Sequence, residues 1–196
     1  MSRPVKVIIF IVVILISFVM YLLQRNSGKL TDELVYHNAL QRSIILKSDA
    51  FENDSTIPLE YTGKGANISP RLSWDNIPEG TKSLAIIVTD YDAPSPKFQL
   101  FTVGHWVLYN IPLGVIDLEK GISAEKLKSL HISVGKNIAG KHEYTGPRPP
   151  FGTHLYYFRI YALNFKTVFM TNDNRDELIH AMKGQVLGYG ELIGKF

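Results

Sequence analysis

The sequence predicts a mostly β domain of two packed sheets, with one or two short helices near the C-terminus and a transmembrane helix before it. Short apolar runs separated by Gly, Pro, Asn and Asp recur from Ile44 onward, which is typical of strands joined by turns. No helical segments alternate with these runs, which argues against an α/β fold. One long apolar run lies near the N-terminus.

The N-terminal apolar run extends from Val7 to Leu23 and is interrupted only by Ser17 and Tyr21. As a helix it spans roughly 25 Å, near the lower limit for crossing a bilayer. We expect residues 7–23 to span a membrane as an uncleaved anchor, within an N-terminal unit of residues 1–29. A cleaved signal peptide is the alternative, although its apolar region is usually shorter.

The basic side chains near this run account for the positive net charge. Residues 1–29 contain no acidic residue and four basic ones, which are Arg3, Lys6, Arg25 and Lys29. Removing these four from 21 leaves 17 basic residues against 18 acidic ones. The remaining chain is nearly neutral, so its composition does not support nucleic-acid binding. The absence of cysteine excludes disulfides, thiolate nucleophiles and cysteine-based metal sites.

Residues 30–43 have weak helical character and are predicted to be a juxtamembrane spacer before a domain of residues 44–196. The clearest strands of that domain are predicted at residues 83–89, 104–111 and 154–163. The first two can pair, because "DYDAPSP" between them is strongly turn-forming. Nearer the C-terminus, Asn174 is a predicted N-cap with Glu177 three residues later, and Gly184 ends the helix. "QVLGYGELIG" is interpreted as a second short helix.

Candidate chemistry lies in three segments. In "TDYDAPSP", Asp90 and Asp92 could place two carboxylates at a strand end, or they could cap backbone N–H groups in a turn before Pro94. In "VGHWVLYN", period-two alternation places His105 on one face with Val107 and places Trp106 on the other. A buried histidine that only satisfies a backbone carbonyl is the commoner alternative there.

The third segment is "TGPRPPFGTHLYYFRIYAL", residues 145–163. His154 and Tyr156 share a strand face and could present an imidazole and a phenol to one ligand. The preceding prolines stiffen a loop in which Gly146 permits close backbone approach, and its N–H groups would suit an anion. The alternative is a Pro-rich turn that leads into aromatic core residues. No nucleophile elbow, Walker loop or dinucleotide fingerprint occurs in the chain, and no metal-binding motif is present.

Taken in order, these segments resemble the phosphatidylethanolamine-binding protein family, in its bacterial Raf-kinase-inhibitor-like branch. The resemblance covers residues 44–196 through "ANISPRLSWDNIPEGTKSLAIIVTDYDAP", "HWVLYNIP", "YTGPRPPFGTHLYYFRIYAL" and "AMKGQVLGYGELIGKF". It implies a large antiparallel sheet packed on a smaller sheet, with C-terminal helices near a small anion pocket. Two positions depart from the family pattern: Tyr91 replaces a frequent proline, and Leu155 replaces the usual arginine.

The resemblance also implies which residues bind the ligand. By motif position these are Asp90, Asp92, Pro94, His105, His154 and Tyr156, and the loop that contains Gly146 and Arg148 lines the rim of the pocket. Arg148 is included as a replacement for the positive charge that Leu155 removes. The implied function is binding of small anionic or phosphorylated ligands, phospholipid headgroups included, without catalysis and without a cofactor.

Two other functions remain open. A protein-interaction module that inhibits a kinase or protease is supported by kinship alone. An enzyme, either a hydrolase using Asp90 and a histidine or a metal site, is opposed by the missing nucleophile motifs. The bacterial resemblance and the apolar run together predict a single-pass protein of the inner (cell) membrane with an extracytoplasmic domain, or a periplasmic one if the N-terminus is cleaved. A pocket with two histidines is expected to bind phosphate esters more tightly below pH 7.

Overall fold

The structure is a computed structural model that describes residues 3–166 and 170–196. A short 3-10 turn at Leu59–Tyr61 accompanies the helices and strands. In chain order these are α1 (Arg3–Asn38), β1 (Ile45–Lys47), β2 (Ser55–Thr56), β3 (Leu72–Asp75), β4 (Ser83–Ser95), β5 (Phe98–Ile111), β6 (Asp117–Leu118), α2 (Ala124–Ser129), β7 (Ser133–Val134), β8 (Leu155–Leu163), α3 (Arg175–Met182) and β9 (Val186–Lys195).

The strands form two sheets, as the sequence predicts. The smaller sheet has the order β1-β3-β6, and the larger sheet has the order β2-β9-β8-β4-β5-β7. Neighbouring strands are antiparallel except for β2 and β9, which are parallel, so the larger sheet is mixed. Buried residues of both sheets form the inner core, among them Leu72, Trp74, Ile86, Trp106 and Phe158. A second cluster lies on the outer face of the larger sheet, beneath α3.

The predicted pairing of β4 with β5 is confirmed, but the predicted position of the turn between them is wrong. β4 continues through Asp90 to Ser95, and the chain reverses at Pro96 and Lys97. The register shifts between Asp90 and Ala93, where the Asp90 carboxylate accepts the Asp92 N–H at 2.7 Å. The turn-forming residues therefore produce an irregularity within a strand and do not end it.

At the C-terminal end, the first predicted helix is confirmed as α3. Asn174 caps it by accepting the N–H of Glu177 at 3.0 Å, and Gly184 follows with a φ of 73°.

The second predicted helix is wrong, because residues 186–195 form β9. Gly188, Gly190 and Gly194 fall on one face of this strand. A Cβ added at these positions would lie within 2.6 Å of atoms of Ser43, Ile44 and Ile57, respectively. The three glycines thus leave room for residues 43–57 to pack directly against the strand, a tertiary requirement that local helical spacing does not reveal.

Helix α1 runs without interruption from the apolar segment into the predicted spacer, where it ends at Asn38. Residues 7–18 are exposed, and the helix is long and apolar enough to cross a membrane, a test that a signal sequence would also pass. Farther along, Asn26 donates to the carbonyl of Gln99 at 3.0 Å, and His37 bonds to the Tyr161 hydroxyl at 2.8 Å. The C-terminal part of α1 therefore packs on the larger sheet, and the division into units 1–29, 30–43 and 44–196 stays a prediction.

Candidate functional site

Three strands bring the predicted histidines and acids to one end of the larger sheet. Asp90 in β4 pairs with Val103 in β5 and with Tyr156 in β8. His154 lies immediately before β8, and its N–H donates to the carbonyl of Phe196 at 2.9 Å. The backbone ladder therefore fixes the positions from which these side chains extend.

A β-bulge directs His105 into this group. The register of β4 and β5 pairs Val88 with Trp106 and then Thr89 with Gly104, so His105 is the extra residue. Its ring contacts Tyr156 at a centroid distance of 5.1 Å, on the inner face with Trp106. The predicted shared face of His105 and Val107 is wrong, because period-two alternation fails at the bulge and Val107 packs in the outer cluster.

Asp90 and His154 form a buried pair. Oδ2 of Asp90 lies 2.7 Å from Nδ1 of His154, and Nε2 of the same ring lies 3.1 Å from the carbonyl oxygen of Phe151. Both side chains are almost fully buried. Because both ring nitrogens already have oxygen partners, His154 is oriented rigidly and has no free nitrogen for a ligand.

His105 has the opposite arrangement. Its Nδ1–H donates to the carbonyl of Thr145 at 2.7 Å, which leaves Nε2 as the lone-pair nitrogen of the neutral ring. Burial lowers the pKa of His105, although the Thr145 carbonyl and the Asp90 charge act in the other direction. The neutral form of the ring is therefore favoured in the free protein, and no group of the described residues forms a hydrogen bond with its buried Nε2.

The hydroxyl of Tyr156 is a second buried polar atom with no hydrogen-bond partner among the described residues. Burial raises the pKa of Tyr156, and the Asp90 and Asp92 charges act in the same direction, so the phenol keeps its proton. Across residues 3–166 and 170–196, the buried side-chain atoms that lack a partner are Ser43 Oγ, Ser69 Oγ, His105 Nε2 and Tyr156 Oη. Two of these atoms belong to one site, where they supply one acceptor and one donor.

These side chains line a cavity of about 190 Å³. Six of the predicted site residues line it: Asp90, His105, Gly146, Arg148, His154 and Tyr156. Other lining residues include Ala93, Val103, Ile138, Thr145 and Pro149. Arg148 is exposed and brings a positive charge to the mouth. Thr145 and Ala93 both belong to segments that the sequence singles out, but nothing in the sequence marks the role of Thr145, because it acts through its backbone carbonyl.

Two predicted site residues are placed outside the cavity lining. Asp92 accepts a hydrogen bond from the Gln99 side chain at 2.8 Å and another from the Leu155 N–H at 2.9 Å, so it joins β4 to both neighbouring strands. Pro94 lies farther along β4 and follows a cis peptide bond.

The expectation that the loop offers free N–H groups is wrong at Gly146. Its N–H donates to the Asn67 side chain at 2.7 Å. A Cβ at this position would lie 2.4 Å from the carbonyl oxygen of Tyr61, so glycine is needed for close packing of the loop.

On the opposite face of the sheet, a buried ion network joins α1 to the domain. Glu33 of α1 pairs with Arg175 and also bonds to the Tyr91 hydroxyl. Arg159 donates to the same hydroxyl at 2.6 Å and pairs with Glu191 at 2.7 Å. Tyr91, one of the two departures from the family pattern, thus belongs to the contact with α1 and not to the cavity.

A larger cavity of about 240 Å³ lies between α1 and α3, beside this network. Its charged lining residues include two mutual pairs, Lys29 with Asp176 and Arg175 with Glu33. None of the unpartnered buried atoms of the described residues lines it. The smaller cavity at His105 is therefore the stronger candidate for a ligand site.

Comparisons with known proteins agree with this architecture. The family model described as phosphatidylethanolamine-binding protein matches residues 47–196. A UPF0098 protein of Methanothermobacter thermautotrophicus is 42% identical over 152 residues, which cover 77% of this chain and 97% of the relative.

Two solved structures are similar as well. A phosphatidylethanolamine-binding protein homologue of Chlamydia trachomatis is 33% identical with a TM-score of 0.69, and the match covers 80% of this chain and 98% of that one. YbcL of Escherichia coli has a TM-score of 0.70 at 24% identity, over 79% of this chain and 98% of its own, which supports the fold alone.

Proposed function

The chain belongs to the phosphatidylethanolamine-binding protein family, and we propose that its pocket binds small phosphorylated ligands, phospholipid headgroups included, without catalysis. One observation carries the proposal: His105 Nε2 and the Tyr156 hydroxyl are buried, have no hydrogen-bond partner within residues 3–166 and 170–196, and belong to residues that line the same cavity. Buried polar atoms are normally paired, so an unpaired donor and acceptor together favour a ligand that satisfies both.

A phosphate monoester has the groups that these two atoms require. One phosphate oxygen accepts from the Tyr156 hydroxyl, and a protonated phosphate oxygen donates to Nε2 of His105. Alternatively, a fully ionised phosphate accepts from Nε2 after His105 has taken up a proton. Arg148 at the mouth adds a favourable positive charge in either case.

The hydrogen bonds of Asp90 and His154 favour binding over hydrolysis. A hydrolase that used this pair would need a free ring nitrogen on His154 as the general base, with Asp90 orienting the ring, but Nε2 of His154 already lies 3.1 Å from the carbonyl oxygen of Phe151. Both oxygens of Asp90 are occupied, one by the Asp92 N–H and the other by His154, each at 2.7 Å. Asp90 therefore orients the site, which is consistent with a family whose members are generally binding proteins.

We further propose that α1 anchors the chain in the inner membrane and that the domain is extracytoplasmic. The exposed apolar residues 7–18 and the basic residues on both sides of the run support an anchor.

Calorimetric titration of phosphoethanolamine into the full chain in detergent micelles tests the binding proposal. We expect saturable binding that weakens by about tenfold or more in His105→Asn, since a hydrogen bond to a charged group contributes about 1.5–3 kcal/mol. His142→Asn is the matched control, because His142 is exposed and pairs with Asp173. Equal binding by wild type and His105→Asn would contradict the proposal.

A further inference from the structure

The direction of α1 relative to the larger sheet shows which end of the domain is nearest the apolar segment. Asn26 bonds to the Gln99 carbonyl and to the Thr102 hydroxyl, each at 3.0 Å, at the start of β5. Eleven residues later, His37 bonds to Tyr161, which pairs with Ala85 near the far end of the strands. Helix α1 therefore runs in the same direction as β5, and its apolar part extends toward the β4–β5 turn.

The β4–β5 turn is level with the end of the apolar run. Asn26 lies beside the residues between Gln99 and Thr102, and Leu23 is about 4.5 Å nearer the membrane along the helix axis. Along β5, Phe98 is about 8 Å nearer the membrane than the level of Asn26. Leu22 and Leu23 are partly buried, unlike residues 7–18, as expected for helix residues in contact with β5. Phe98 thus reaches the level at which the hydrocarbon core of a bilayer begins.

Exposed phenylalanines surround this end of the domain and the mouth of the pocket. Phe98 and Phe101 of β5 are 41% and 47% exposed, and Phe151 in the loop beside the pocket is 69% exposed. The two parts lie close together, because a Cβ added at Gly152 would lie 3.2 Å from Cδ of Pro96 in the turn. We call Phe98, Phe101 and Phe151 the phenylalanine surface. Lys97, at the tip of the turn, adds a positive charge suited to lipid phosphates.

We propose that the phenylalanine surface rests on the bilayer leaflet from which α1 emerges, so that the pocket takes its ligand as the headgroup of a phospholipid in that leaflet. This inference depends on the anchoring and headgroup binding proposed above. Large exposed aromatic groups next to an apolar helix are typical of membrane interfaces, where they replace water contacts with lipid.

The distance of the pocket from the hydrocarbon core agrees with a lipid headgroup as the ligand. Ala93 lines the cavity and pairs with Phe101. Leu23, at the end of the apolar run, marks the edge of the hydrocarbon core, and Phe101 lies about 6 Å farther out from the membrane than Leu23. The headgroup layer of a bilayer is about 5–8 Å thick on each side. The edge of the pocket is therefore level with the headgroups, whereas its deepest residues lie above them.

Fluorescence of tryptophan variants tests the membrane contact on the full chain in phospholipid vesicles. Phe98→Trp reports on the phenylalanine surface, and Leu113→Trp is the matched control. Leu113 is 46% exposed and lies beyond the other end of β5, more than about 40 Å along the strand. The native Trp74 and Trp106 are buried, so the wild-type spectrum supplies the background. Phe151→Trp provides a second reporter in case Phe98→Trp does not fold.

We expect the emission of Phe98→Trp to shift to the blue and to lose most of its intensity when the vesicles contain phospholipids brominated near the headgroup end of the acyl chain. Leu113→Trp is expected to show neither change. Equal behaviour of the two variants overturns the inference. A blue shift without quenching also overturns it, because a second copy of the chain would then cover the phenylalanines.

Binding of soluble phosphoethanolamine to the same variants separates this inference from the proposed function. Quenching of Phe98→Trp without any phosphoethanolamine binding would support the membrane contact and overturn the pocket function. Phosphoethanolamine binding without quenching would support the pocket function and overturn the membrane contact.

Discussion

Replacing Tyr156 by phenylalanine should have opposite effects on stability and on ligand binding. The Tyr156 hydroxyl is buried and has no hydrogen-bond partner in the part of the chain that the structure describes, and leaving such a group unsatisfied costs about 1–3 kcal/mol. Tyr156→Phe removes that cost and leaves the ring in place. We therefore expect the free protein to become more stable by about 1 kcal/mol, which raises the melting temperature by about 2–4 °C for a domain of this size.

The same substitution should weaken phosphoethanolamine binding. The hydroxyl donates to the bound phosphate, and a hydrogen bond to a charged group contributes about 1.5–3 kcal/mol. The dissociation constant should rise by about 10- to 100-fold. Thermal unfolding of the free chain and calorimetric titration of phosphoethanolamine, both in the same detergent, measure the two effects.

Tyr144→Phe is the matched control for both measurements. Tyr144 is also buried, but its hydroxyl donates to the Tyr61 carbonyl at 2.8 Å. Its removal leaves that carbonyl unpaired, so we expect a loss of about 1 kcal/mol of stability and unchanged binding. If Tyr156→Phe destabilises the free protein as much as Tyr144→Phe does, the Tyr156 hydroxyl has a partner in the free protein and the reasoning is refuted.

Four other changes have defined outcomes. Affinity for phosphoethanolamine should fall by up to about tenfold per pH unit above pH 6, because either the ligand or His105 must supply a proton. Calorimetric titrations at several pH values measure this dependence, which should be weaker in His105→Asn. The pKa of His37 is lowered by burial from 6.5 to about 4, so the unfolded chain binds more protons between these values. Denaturant unfolding should show the free energy of unfolding falling from pH 7 to pH 5, and His37→Gln should reduce that fall by about 2 kcal/mol, while the lowered pKa of His105 contributes separately. Glu33→Gln leaves the Arg175 guanidinium without its main partner and should release α1 at a cost of about 3 kcal/mol, measured as faster hydrogen exchange in residues 26–38. Asp92→Asn should lower the free energy of unfolding by about 1 kcal/mol without changing ligand affinity. A tenfold weaker affinity would show that Asp92 contributes to ligand binding after all.

The elements that local patterns predict are those whose own residues carry the signal. Residues 83–89, 104–111 and 154–163 have the apolar content of buried strands, and the structure confirms all three. The cap at Asn174 is equally local, since its partner is three residues away. Segment 186–195 is different, because its glycines serve contacts with residues 43–57, which no local pattern reveals.

The candidate site combines residues that the sequence singles out with contacts that it does not show. His154 and Tyr156 follow from strand alternation, while the grouping of Asp90 with His105 comes from the family resemblance. The bulge that turns His105 inward and the carbonyl of Thr145 that fixes its tautomer depend on the pairing of distant strands. These two features determine which ring nitrogen is free for a ligand.

The most direct test of the proposed function is the ring nitrogen signal of His105. The full chain, labelled with ¹⁵N at histidine, would be titrated with phosphoethanolamine in detergent micelles, and His105→Asn would assign the resonance. We predict that Nε2 of His105 moves from the frequency of an unprotonated nitrogen toward that of a hydrogen-bonded or protonated one, and that the change saturates with the bound fraction. Saturable binding that leaves the Nε2 signal unmoved would contradict the proposed site.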